Sequence, residues 1–102
     1  MSKVQRHGNP HFFEVLEELA NMHEKKGKDY GTGLDPLANV RASVNWGVPD
    51  WVGTLIRAND KIIRLQNAAK GSTLVNEGIE DSLLDLASYA VIALVLYREG
   101  QK

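Results

Sequence analysis

Residues 77–97 read EGIEDSLLDLASYAVIALVLY, and this stretch decides the fold. At about 100° per residue its leucines, alanines and valines reach almost every sector of a helix, the pattern of a helix surrounded by other helices. Three acids interrupt it. Glu77, Asp81 and Asp85 recur every four residues, so they line one narrow stripe. Asp85 lies between Leu84 and Leu86, and a carboxylate buried there without a partner costs several kcal/mol. It therefore needs a cation, a metal, a hydrogen-bond donor or a water-filled cleft. After two turns Ile92, Val95 and Leu96 continue the same sector with apolar side chains, which predicts a site that opens beside a subunit contact.

The totals set bounds on the rest. A chain of 102 residues has room for one domain, spanning 1–102, and folding alone it buries only about 60–70% of its unfolded surface. The last helix is too apolar to be one wall of so small a monomer, so a homodimer or larger oligomer is expected. A net charge of −1 argues against general nucleic-acid binding, which needs a basic excess. With no cysteine, disulfides and thiolate metal sites are excluded. The N-terminus MSKVQRHGNPHFFE lacks the apolar run of a secretory signal. The run Leu86–Tyr97 is shorter than the roughly 20 residues of a membrane span. The expectation is a soluble protein of the cytoplasm.

Upstream, Asn9-Pro10 marks a helix start, with Asn9 as cap, and Gly27 marks its stop. Phe12, Leu16, Leu19 and His23 form its predicted inward stripe. His7, His11 and His23 show no metal-ligand spacing. GKDYGTGLDP at 27–36 is a turn-rich loop of the kind that lets backbone approach a ligand. Asp35-Pro36 opens a short second helix that Gly47 ends, and Pro49-Asp50 a third that Gly71 ends. Trp51, Leu55, Ala58, Ile62, Leu65 and Ala69 form the predicted core stripe of that third helix. Arg57, Asp60, Lys61 and Arg64 cluster on another face. Asn76 is the expected cap of the final helix. No alternation is long enough to build a sheet, so the predicted fold is all-α, a small bundle of four helices at about 10–26, 36–46, 50–69 and 77–98.

An acidic stripe on one helix and a basic one on another admit two explanations. Asp81 and Asp85 pair with Lys61 and Arg64 in a salt-bridge network and no ligand is involved. Alternatively a divalent cation sits on the acids and phosphate oxygens meet the basic groups. Magnesium commonly takes one or two carboxylates together with substrate phosphates and waters.

Four ordered blocks sharpen the choice: KGKDYG at 26–31, Asn39, RANDKIIRL at 57–65 and EGIEDSLLDLASYA at 77–90. Together they resemble the nucleotide-modification-associated helical domain of bacteriophages and bacteria. The resemblance runs from Lys26 to Ala90, with Gly27 where the family usually has Asn and Val40 where it usually has an aromatic. It implies an all-α fold loosely similar to MazG-type nucleoside triphosphate pyrophosphohydrolases, and a setting in phage nucleotide metabolism. The MazG-type element E-E-x-x-E followed closely by E-x-x-D is absent, since Glu14, Glu17 and Glu18 stand far from Glu77. On the enzymatic reading Mg²⁺ is held by Glu77, Asp81 and Asp85, the latter two being catalytic, and a deoxynucleoside triphosphate is cut between its α- and β-phosphates. Lys26, Arg57, Lys61 and Arg64 then bind phosphate, Tyr30 stacks on the base and Asn39 reads its edge. On the structural reading Tyr30 plugs the loop onto the core, Asn39 caps backbone and Tyr89 is core. The alternative function is binding without turnover, as a sponge for a nucleotide signal or an accessory subunit of nucleotide modification.

Overall fold

The apolar stretch becomes α4 (Ile79–Gly100). The structure, a computed structural model, describes the backbone of residues 6–30, 37–71 and 78–101, and the side chains of these apart from 28–30, 38 and 39. Gly78 caps α4 with extended angles, φ −77° and ψ 174°, and its carbonyl accepts the Ser82 N–H at 3.1 Å. The helix thus starts later than expected, with Gly78 rather than Asn76 at the cap position, because a glycine held in extended geometry ends helical pairing there. Asn76 and Glu77 lie outside the described residues. Glu80 and Asp81 occupy the first turn and Arg98 the last, each sign matching the helix dipole. Good helix formers carry the C-terminus to Gly100 rather than 98, and Glu99 is tied to Arg41 at 2.9 Å.

The partner of α4 is α3 (Asp50–Ala69). The Trp51 and Tyr97 rings meet edge to face at 5.5 Å, and Lys61 meets Asp85 at 2.9 Å, so the two helices run antiparallel. Apart from Leu96, their buried contact is made by small side chains. Thr54, Ala58, Ser82, Ala93 and Leu96 are all buried, and small residues let two helix backbones come close. The Thr54 hydroxyl is satisfied by donating to the Asp50 carbonyl at 2.9 Å. Two sequence expectations fail here. Leu55 and Ile62 are exposed, because the inward stripe of α3 passes through Thr54, Ala58, Lys61 and Ala68 instead. Leu96, expected at a subunit contact, is 2% exposed. It is core within one chain because α4 turns that sector toward α3.

Helix α1 (Pro10–Tyr30) is capped as expected: the Asn9 side-chain oxygen accepts the His11 N–H at 2.8 Å. It does not stop at Gly27 but runs on to Tyr30. A glycine inside a helix costs only about 1 kcal/mol, and the lysines around it favour helix. α1 meets α4 at the Lys26–Asp85 ion pair and along Leu16, Leu19 and Ala20, which share an apolar groove with Val91 and Val95. Phe12, Leu16 and His23 are exposed rather than inward, so the predicted stripe is mostly uncovered. Between α1 and α3 lie a single α-turn, α2 (Ala38–Arg41), and a 3-10 segment (Ala42–Trp46), in place of the expected helix over 36–46. Gly47 closes the segment with φ 77°, a left-handed angle that glycine adopts without strain. Asp35-Pro36 lies outside the described residues.

The described residues are therefore all-helical, with three long helices and one short helical connection. The radius of gyration is 15.7 Å, against about 13 Å for a typical domain of this length. No described helix is long and apolar enough to cross a membrane.

Candidate functional site

Where α1, α2, α3 and α4 approach one another, a cleft of about 350 Å³ opens, lined by His23, Lys26, Gly27, Leu37, Val40, Arg57, Asp85, Ser88, Tyr89 and Ile92. Each wall follows from helical spacing. Asp85, Ser88, Tyr89 and Ile92 stand at i, i+3, i+4 and i+7 on α4, one face of one helix. His23, Lys26 and Gly27 repeat that spacing on α1, and Arg57 reaches in from α3.

Asp85 is the electrostatic centre. Its Oδ2 is 2.9 Å from the Lys61 Nζ, and its Oδ1 is 3.6 Å from the Lys26 Nζ. The Asp85 and Lys61 side chains are 19% and 15% exposed, whereas Lys26 is 56% exposed. The carboxylate thus anchors one sheltered ammonium and one that reaches toward solvent. Lys26 and Lys61 meet this one acid and Arg57 lines the same cleft, so the site carries a positive excess. Leu37, Val40 and Ile92 give it an apolar wall, and Ser88 and Tyr89 add hydroxyls that can donate or accept. Such a mix of apolar wall and a few convergent polar groups is typical of small-molecule sites.

The sequence-predicted residues divide accordingly. Lys26, Arg57 and Asp85 line the cleft, and Lys61, which does not, reaches it through its ion pair with Asp85. Arg64 is half-buried and Asp81 exposed, and neither lines the cleft. Glu77 and the side chains of Tyr30 and Asn39 lie outside the described residues. His23, Ser88 and the apolar wall were missed. For Ser88 the signal was present in its spacing from Asp85; for Leu37 and Val40 it was not, since they enter from a short segment whose direction only tertiary packing sets.

A divalent cation fits this arrangement poorly. Both oxygens of Asp85 already face ammonium groups, and an ion bound there must displace them. Among the described residues no three His, Asp or Glu side chains gather closely enough to hold a metal; Glu77, the third acid of the stripe, lies outside them.

The sequence model of the family described as nucleotide modification associated domain 1 matches residues 26–96. That is more than half of the chain and includes every side chain of the cleft except His23, so the chain belongs to this family. No curated protein and no solved structure matches it.

Proposed function

We propose that this nucleotide modification associated domain 1 protein binds a nucleotide in the cleft, with phosphate oxygens on Lys26, Arg57 and Lys61 and the base against Leu37, Val40 and Ile92. The observation that carries the reading is the placement of two ammonium groups on the single carboxylate of Asp85, with the Arg57 guanidinium lining the same cleft. Hydrogen bonds between cationic donors and phosphate are short and strong, and a guanidinium can grip phosphate through two parallel bonds. Asp85 holds the two lysines in place while leaving the site net positive. Ser88 and Tyr89 supply polar contacts to sugar or base.

A second reading, a Mg²⁺-dependent pyrophosphohydrolase acting on a deoxynucleoside triphosphate, has only the sequence spacing of Asp81 and Asp85 behind it, since Asp81 does not line the cleft. The lysine-paired state of Asp85 favours binding over this chemistry.

Titration calorimetry with pyrophosphate and with each deoxynucleoside triphosphate in EDTA, followed by an assay for released pyrophosphate after adding Mg²⁺, separates the two. Binding in EDTA that Lys26→Ala and Arg57→Ala each weaken by about tenfold or more supports the nucleotide site. Turnover that appears only with Mg²⁺ and vanishes in Asp85→Asn moves the conclusion to the hydrolase. No heat of binding from any of these ligands, with or without Mg²⁺, ends both.

A further inference from the structure

The cleft does not end at its apolar wall. A groove of about 280 Å³ between α1 and α4 continues it, and the two have His23, Leu37, Ser88 and Ile92 as common lining. Past that shared stretch the groove is lined by Leu16, Leu19, Ala20, Val91 and Val95. Both helices present their side chains in the same order. From Lys26 back to Leu16 on α1, and from Asp85 on to Val95 on α4, a charged group gives way to a polar junction at His23 and Ser88 and then to apolar side chains. Ten residues of helix rise about 15 Å. Cleft and groove therefore form one trough of about that length, cationic at one end and apolar at the other.

The shape and chemistry of the apolar end limit what it takes. Spread over the rise of about 10 Å from His23 to Leu16, its volume corresponds to a cross-section of about 30 Å². A helix with its side chains is about 10–12 Å across, so the body of a second helix does not enter, whereas a flat ring or an alkyl chain does. Among the described residues no Asp, Glu, Lys or Arg lines the groove, and its two polar side chains stand at the junction. A hydroxyl or amine carried past them lacks a partner, whereas an apolar group there gains by leaving water. Val91 and Val95 are 53% and 40% exposed, which leaves this wall open to a ligand. The cleft alone, about 350 Å³, sits near the lower limit of small-molecule sites, and the trough as a whole lies well inside their range.

We propose that the groove is a subsite for an apolar group carried by the same molecule whose phosphates lie on Lys26 and Arg57. The ligand is then a phosphate ester with an apolar far end, held lengthwise between α1 and α4. The inference rests on the phosphate reading of the cleft and extends it to residues that do not line the cleft, above all Val91 and Val95. Continuity of the two walls and the change from charge to apolar surface along both helices single out this occupant. The apolar group is either a substituent on a nucleotide base or an alkyl chain esterified to pyrophosphate.

Titration calorimetry in EDTA on two matched pairs tests it, dUTP against 5-propynyl-dUTP and methyl pyrophosphate against dimethylallyl pyrophosphate. Each pair keeps the phosphates and adds only an apolar group. In at least one pair the larger ligand should bind about fourfold tighter or more, and Val91→Asn combined with Val95→Asn should erase that gain while leaving the smaller ligand's affinity unchanged. Should the double variant fail to fold, Ala20→Phe at an exposed position of α1 fills the groove from the other wall and should erase the gain as well. A gain confined to the nucleotide pair places the apolar group on the base. A gain confined to the pyrophosphate pair keeps the subsite and assigns it to an alkyl phosphate. If both smaller ligands bind and neither larger one gains, or if the gain survives in the variants, the subsite is overturned and the phosphate site stands. Sedimentation that then shows a pair of chains separated by the double variant gives the groove to a second copy. If none of the four ligands binds, the phosphate reading falls and takes the subsite with it.

Discussion

Lys61 is 15% exposed and faces the 19% exposed carboxylate of Asp85 at 2.9 Å, which places this pair between the solvated ion pairs worth little and the buried ones whose disruption is severe. Asp85→Asn leaves the sheltered ammonium with a weaker neutral acceptor. Stability should fall by about 1–2 kcal/mol, less than for a fully buried pair because water still reaches the site. Lys61→Met strands the carboxylate by a similar amount but leaves it the outer ammonium of Lys26 at 3.6 Å. The double variant should lose less than the sum of the two, with a coupling of about 1 kcal/mol in urea unfolding. Strict additivity would show that the two groups do not stabilise one another. At this scale the sequence revealed much of the site. An acid set among leucines demands a partner, and the basic stripe of α3 contained that partner. Lys26 was expected among the phosphate-binding groups, but its pairing with Asp85 was not legible, because it arrives from a helix that the glycine at 27 was expected to end one residue later. Nor was the fate of Asp81, which the same four-residue spacing placed beside Asp85 but which the first turn of α4 leaves in solvent.

Helix ends show where local chemistry is decisive. Asn9-Pro10, Pro49-Asp50, Gly47 and Gly71 mark boundaries that the structure keeps, since a cap or a left-handed glycine acts within one turn. Gly27 and Asn76 misled because a glycine in mid-helix carries only a small penalty and a capping side chain competes with its neighbours. Gly53 adds an element-scale constraint that the sequence did not disclose. It sits in the first turns of α3, where the 3-10 segment crosses so closely that a β-carbon would collide with the Cβ and Oγ of Ser43. Ser43 is held there by its own hydroxyl, which donates to the Val48 carbonyl at 3.2 Å. On helix propensity alone Gly53→Ala should stabilise α3 by about 1 kcal/mol. The collision reverses the sign, and thermal melting should show a net loss of about 1–3 kcal/mol. Adding Ser43→Gly should recover part of it by removing the obstructing side chain. A stabilised Gly53→Ala single variant would show that the segment moves aside freely.

Across the whole molecule the α3–α4 pair is the rigid part, and α1 is attached to it near the cleft. Of the buried residues, Thr54, Ala58, Ser82, Ala93 and Leu96 belong to that pair and Val40 to the short α2 beside it, whereas the first half of α1 is exposed on almost every side. The ion pair between Lys26 and Asp85 is one of the ties holding the second half of α1 to α4. A sequence read one helix at a time does not predict this division, because every long helix carries enough apolar residues to look like an equal member of a bundle. The division has a dynamic consequence, since segments with few buried contacts open at lower free energy than the core. Amide exchange should be fastest in residues 11–18 and slowest around Ala58 and Ala93. If a nucleotide's phosphates bridge Lys26 to Arg57 and Lys61, they join α1 to α3 across the cleft. A saturating deoxynucleoside triphosphate should then slow exchange in residues 19–27 while leaving the already protected centres of α3 and α4 unchanged, because a ligand that binds the closed arrangement suppresses opening. Lys26→Ala should abolish that added protection and keep the protection of Ala58 and Ala93. Binding by calorimetry with no change anywhere in α1 would place the phosphates away from Lys26 and remove this helix from the site.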